Sequence, residues 1–334
     1  MINSILQKRP IDVIGIGNAI VDILVQVDDN FLQCQNLIKG SMSLINEQQA
    51  NELYKLIAPG IESSGGSAAN TIASIAQLGC KSGFIGRVRD DQLGEVFKRD
   101  ICTTGAIFTT PSARSGPPTA RCIIFVTPDA QRTMCTYLGT SVQLQPDNLD
   151  LSIIGDAKVL YLEGYLWDHE LAKKAFITAS KTCKRSKGIV ALSLSDSFCV
   201  ERHRESFLDL IENYVDILFA NESEILTLFK SPEIENVFQS LRKKSKISVI
   251  TLGEKGSLII TEKEKIEINP FIFGPPIDTT GAGDIYAGAF LSGYTKGLPL
   301  NKCGRMGSIC AGHIVRQIGP RSSIDLNQLI EENI

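Results

Sequence analysis

Histidine and tryptophan are scarce in this chain, with 3 and 1 among 334 residues, and no His–Asp–Ser arrangement can be picked out. That leaves little to support a histidine-driven hydrolase. The nine cysteines (Cys34, Cys80, Cys102, Cys122, Cys135, Cys183, Cys199, Cys303 and Cys310) are scattered and form no C-x-x-C pair. Several sit in apolar runs, which suits reduced, buried thiols and a cytoplasmic setting. No apolar run is long enough to cross a bilayer, and the N-terminus lacks the apolar centre of a signal peptide, so no membrane partner is expected. The formal net charge is only −3, so nothing points to nucleic acid. No G-x-x-x-x-G-K-[ST] phosphate loop occurs; Gly79-Cys-Lys-Ser82 is a partial echo of one. Gly15-Ile-Gly17 starts like a dinucleotide motif, but position 20 is Ile where a third glycine is needed. The adjoining segment, Ile20 to Val27, alternates like a strand instead of opening a helix.

What the chain does have is concentrated in Asp278-Thr-Thr-Gly-Ala-Gly-Asp284, which runs into an apolar, small-residue helix pattern. Gly281, Ala282 and Gly283 can turn tightly and present backbone N–H groups. A helix start offers unpaired donors and partial positive charge, which suits a phosphate or a developing oxyanion. A carboxylate beside such a hole is no phosphate ligand. Asp284 is placed to take a proton from an attacking hydroxyl while the turn stabilises the transferring phosphoryl. The plain alternative is a capped helix with a glycine-rich start.

Elsewhere the polar residues sit at the ends of apolar runs. Asp22 is a carboxylate inside an apolar strand pattern: an exposed edge, or an acceptor for substrate hydroxyls. Gly65-Gly66 feeds an Ala-rich helix pattern closed by Gly79, with Asn70 offering both donor and acceptor. Ser82 to Val88 reads as a strand, and Asp90 and Asp91 as caps in the first turn of the next helix. Residues 120–127 and 132–138 read as a hairpin around Pro128–Gln131, with Arg132 just after the turn, either solvated or reaching a cleft. From about 157 onward strands (157–162, 188–194, 215–219, 247–252) alternate with helices (168–182, 201–213, 222–230, 234–243). The expected fold is α/β: a doubly wound, mostly parallel sheet flanked by helices, with ligands at the carboxyl ends of the strands. Tyr165 follows one strand and could pack on a planar base. Asn221 and Glu224 follow another at capping-box spacing. Gly253 to Gly256 is a tight turn, in isolation a simple hairpin. A last helix, 301–316, carries Cys310-Ala-Gly-His313, where His313 reads as a packed wall residue. His169 and His203 read as residues on helix surfaces.

The heptad at Asp278–Asp284, Gly65-Gly-Ser-Ala-Ala-Asn70, Asn18-Ala-Ile-Val-Asp22, Gly86 to Gly94 and Asn221-x-x-Glu224 together resemble the PfkB, or ribokinase-like, kinase family over about residues 10–325. The resemblance implies a single kinase domain over 10–330, with a small β-sheet lid from about 20–45 and 107–140. It implies that Asp284 is the base, that Asp22, Gly66 and Asn70 grip sugar hydroxyls, and that Arg132 contacts substrate or phosphate. It places Thr251, Gly253, Gly256 and His313, with the small residues beside it, at the ATP site, and has Asn221 and Glu224 order Mg²⁺ through water. Asp278 would be a ligand for a monovalent cation such as K⁺. Within the family the adenosine kinases are the nearest resemblance, on Gly164-Tyr165, Ser193 to Phe198 and Ala311-Gly-His313. The implied reaction moves the γ-phosphoryl of ATP to the primary hydroxyl of a ribose-containing nucleoside. The alternatives are a kinase for a free sugar such as ribose or fructose, and a catalytically silent ligand-binding relative. A monomer, or a homodimer through exposed lid edges, is expected.

Overall fold

The computed structural model describes residues 8–57, 60–129 and 131–334. Thirteen strands are described: β1 (Ile11–Ile16), β2 (Ile20–Gln26), β3 (Met42–Leu44), β4 (Ile61–Gly65), β5 (Ser82–Ile85), β6 (Ala120–Val126), β7 (Arg132–Tyr137), β8 (Ala157–Glu163), β9 (Ile189–Ser193), β10 (Ile217–Asn221), β11 (Ile247–Thr251), β12 (Ser257–Thr261) and β13 (Lys265–Ile268). Eight form the main sheet in the order β13-β12-β11-β10-β9-β8-β1-β5. From β5 to β11 every pair is parallel, and β12 and β13 add antiparallel at one edge.

The central strands are mostly apolar because both faces are covered, whereas the edge strand β13, Lys-Ile-Glu-Ile, is largely exposed. Ile14, Ile16, Leu160, Leu162 and Leu192 pack on one side with Phe176 and Phe207. The alternate residues Val13, Val159, Tyr161 and Ala191 pack on the other with Ile72 and Phe290. The chain leaves β1 toward β5 on one side and toward β8 on the other. The crevice where strand order reverses therefore opens beyond the carboxyl ends of β1 and β8, the usual place for a ligand in such sheets.

The five remaining strands make the lid, in the order β3-β7-β6-β2-β4. Its outer side, with Ile23, Ile123 and Phe125, is covered by Leu32 and Leu53 from helices Asp29–Cys34 and Glu47–Leu56. Both helices start on side-chain caps, Asp28 and an Asn46–Gln49 capping box. Its inner side carries Ile20, Leu24, Cys122, Ile124, Val126 and Met134.

Several expectations change. Ile61–Gly65, which reads as part of a glycine turn, is a lid strand paired to β2. Residues 107–119 are not lid strands: single bridges join Ile107 to Gly83 of β5 and Ala113 to Arg89 beyond it. Within the lid segment expected over 20–45, the strand after β2 is confined to Met42–Leu44, and the strand expected over 82–88 to Ser82–Ile85. Asp91 caps helix Gln92–Thr103 through the Gly94 N–H, whereas Asp90 lies one residue ahead of that cap. His203 is no plain surface residue; its Nε2 lies 2.6 Å from Asp168 Oδ1. Of the expected hairpin turn, Ala130 lies outside the described residues. Cys34 and Cys102 are exposed and the other seven cysteines are buried, all of them free. No helix among the described residues is long and apolar enough to cross a membrane.

Candidate active site

Helix Ala282–Thr295 is buried nearly all round. Its start is Gly281 at φ +77, where an added Cβ would lie 2.4 Å from Pro320 Cβ, so the turn requires glycine. Gly281, Gly283 and Asp284 line a cavity of about 780 Å³ between the lid and the strand ends. Ala282 does not line it. Its N–H donates to Thr279 O at 3.2 Å, closing the turn instead of facing a ligand.

Asp284 is held by the neighbouring helix Ser67–Gln77. Its Oδ1 accepts from Ser67 Oγ at 2.6 Å and its Oδ2 from Asn70 Nδ2 at 3.3 Å. Burial pushes its carboxyl up to about 6, against the pull of those two bonds. That helix starts after Gly66, at φ +100, where a Cβ would meet Asn18 O at 2.3 Å. Asn70 Oδ1 is buried and has no partner among the described residues, which leaves an acceptor for a ligand hydroxyl.

Asp22, on β2, lies over Gly65: a Cβ there would sit 2.2 Å from Asp22 Oδ2. Burial raises Asp22 to about 6, opposed by Arg321 and Arg132 and reinforced by Asp284. Asp22, Asn70 and Asp284 thus share one end of the cavity.

Glu163, the last residue of β8, ties that end together. Its Oε1 accepts from the Asn18 N–H (3.1 Å) and Asn18 Nδ2 (2.8 Å), and its Oε2 from the Ala68 N–H (2.8 Å). Burial lifts it to about 7, against those bonds. It therefore braces the residues before β2 against the helix that grips Asp284. The only hint of this in the sequence is an acid ending a buried run.

Arg132 Nη1 pairs with Asp278 Oδ2, joining the lid to the glycine turn. Arg132 also lines the cavity, and its Nε and Nη2 are buried without partners among the described residues. Asp278 accepts from the Gly319 and Thr280 N–H groups, each at 2.9 Å. Burial alone would raise its carboxyl, but those donors and Arg132 hold it below the usual range. Arg321 ties the C-terminal loop to the lid through Ser64 Oγ (2.7 Å) and to helix Gln92–Thr103 through Asp100 Oδ2 (2.9 Å).

Beyond these groups the cavity is lined by Tyr165, Phe198, Met42, Leu44, Met134 and Leu138. Phe198 is 69% exposed at the start of its helix, a placement the sequence does not announce. Asn221 and Glu224 also line the cavity and form the capping box that their spacing suggests: Glu224 Oε2 accepts from the Asn221 N–H and Oε1 from Asn221 Nδ2. Burial, with Asp196 nearby, raises Glu224 to about 7 against the Asn221 bond.

Thr251 reaches the cavity wall; Gly253, Gly256 and His313 are not among its lining residues. Gly256 serves the β12–β13 side, since a Cβ would lie 2.1 Å from Ile268 O. His313 Nε2 lies 3.2 Å from Ser322 Oγ and its ring meets Phe273 edge-on. That is a packed position.

A buried carboxylate at a glycine-led helix start, opposite a second acid and under a β lid, is an arrangement that suits proton removal from an alcohol during phosphoryl transfer. Comparison with known proteins agrees. The family model described as pfkB family carbohydrate kinase matches residues 51–327. The adenosine kinase of Sinorhizobium meliloti is 43% identical, over 97% of this chain and 99% of its own, with TM-score 0.89. A probable sugar kinase from Rhizobium etli CFN 42 is 41% identical, over 97% and 98%, with TM-score 0.89. Probable fructokinase-4 of Arabidopsis thaliana is 27% identical over 243 residues, 70% of this chain and 74% of its own. The chain belongs to the PfkB family of carbohydrate kinases and is a phosphotransferase with an alcohol group as acceptor.

Proposed function

We propose that the chain transfers the γ-phosphoryl of ATP to the primary hydroxyl of a purine nucleoside, adenosine before others. The observation that carries this is the shape of the cavity. One end holds the three polar groups that a ribose needs, Asp22, Asn70 and Asp284, and the wall also carries an aromatic and thioether lobe of Tyr165, Phe198, Met42 and Met134. A free sugar would leave that lobe empty, whereas a purine would fill it and bury apolar area. The 43% identity to an adenosine kinase over nearly the full chain supports the same reading.

In this reading Asp22 and the unpartnered Asn70 Oδ1 orient the ribose diol, and Asp284 accepts the proton of the attacking hydroxyl. The N–H groups of Gly281 and Gly283 and the two free donors of Arg132 stabilise charge on the transferring phosphoryl. Glu224 feels the negative charge of Asp196 across the cavity wall, and this acidic side fits a hydrated divalent cation. Asn221 and Glu224 would hold Mg²⁺ through water. Once bound, the ion offsets phosphate charge.

The second reading, a free-sugar kinase, draws on the Rhizobium etli and Arabidopsis relatives. A panel of adenosine, inosine, guanosine, ribose and fructose with ATP and Mg²⁺, scored by kcat/KM, decides between them. Adenosine should lead; ribose or fructose leading would install the second reading.

A further inference from the structure

Asp278 occupies the position the family resemblance assigns to a monovalent-cation ligand, but its surroundings are those of an anion. The side chains of Asp278 and Arg132 are 7% and 6% exposed. Around the carboxylate stand four donors: the guanidinium of Arg132, the Gly319 N–H, and the N–H and hydroxyl of Thr280. A potassium site needs the reverse, a shell of oxygens replacing the ion's water. The nearby carbonyl of Val315 is not available to complete one, because it accepts from the Ile277 and Asp278 N–H groups at 2.7 and 3.2 Å. A bare cation placed here would face N–H dipoles and compete with a buried guanidinium that already supplies the positive charge.

We propose that Arg132 is the resident cation of the glycine turn, so that this protein works without potassium or any other monovalent ion. Arg132 comes from lid strand β7, and Asp278 begins the turn that ends at Asp284. The counter-charge therefore arrives with the lid, and an ion free in solution has no place to fill. Arg132 acts on the turn as a positioning residue through Asp278, apart from whatever its free Nε and Nη2 bind.

The test has a melting arm and a kinetic arm. In the first, the intact protein is melted in potassium, sodium and tetramethylammonium chloride at equal ionic strength. An ion that binds only the folded state raises the midpoint. The three curves should superimpose; a rise specific to potassium overturns the proposal. In the second arm, which rests on the nucleoside-kinase reading, turnover should change by less than about twofold among the salts, and potassium activation of about tenfold overturns it. Arg132→Met should lower kcat about 10²-fold, as for the loss of one preorganised donor. Added guanidinium should restore part of that rate, and failure of guanidinium to restore any counts against a positioning charge. If no nucleoside is phosphorylated in any salt, the functional reading fails while the melting arm still decides this one.

Discussion

Asp284 is an ordinary residue type made useful by its surroundings. Burial holds its proton up to about pH 6, and Ser67 and Asn70 fix its direction. Asp284→Asn should lower kcat by roughly 10²–10⁴-fold, the range for losing a general base, with an unchanged circular dichroism spectrum. Wild-type kcat/KM against pH should fall on the acid side with an apparent value near 6, because the proton then occupies the base. That limb belongs to Asp22 and Asp284 together. At this scale the sequence is legible where a polar residue is out of place. Asp22 stands in an apolar strand, and Asp284 stands beside glycines. It is illegible where meaning comes from a distant partner. Glu163 reaches Asn18 across 145 positions and Ser67 reaches Asp284 across 217, and no local pattern encodes either. Tyr165 follows its strand as expected, whereas Phe198 joins the same wall from a different strand end.

Two helices set the geometry of the site, and they touch through a glycine. A Cβ on Gly288 would lie 1.9 Å from Ser74 Oγ and 3.0 Å from Thr71 O. Gly288→Ala should cost about 1–3 kcal/mol of stability as an overpacking change. It should also lower kcat, since it pushes Ser67 and Asn70 away from Asp284. Urea unfolding and steady-state kinetics on one preparation check both, and loss of neither would mean the helices repack freely. Elements with a regular apolar pattern are readable from sequence: the strands of the main sheet and the helices between them fall close to expectation. The lid is less so. β4 is Ile-Glu-Ser-Ser-Gly, and its polar residues serve distant partners, Glu62 accepting from Tyr54 and Ser64 bonding Asp100 and Arg321, so its composition hides a strand. The run 107–119 lacks helix signals and so suggests lid, but single bridges bind it to Gly83 of β5 and to Arg89.

For the molecule as a whole, four buried carboxylates set a pH trend. Asp22 and Asp284 titrate near 6, and Glu163 and Glu224 near 7, against about 3.9 and 4.3 for unfolded Asp and Glu. Between roughly pH 4 and 7 the folded chain keeps protons that the unfolded chain has released, so stability falls as pH rises through that window. His313, lowered by burial, works the other way as a single group. The carboxylates held low, such as Asp278, lose their contribution only in stronger acid. The melting temperature should therefore be higher near pH 5.5 than near pH 7.5. A reversed trend would show that these acids are better solvated than their burial implies.

A single residue, Gly66, separates lid strand β4 from the helix whose first turn holds Asp284. An outward swing of the lid would pull on the turn that carries Ser67 and Asn70, and so on the carboxylate they hold. In the proposed kinase, a molecule caught ajar would have its base unaimed. A nucleotide arriving before its partner would then meet disarmed machinery, and idle loss of ATP to water would be curbed by the way the chain is threaded.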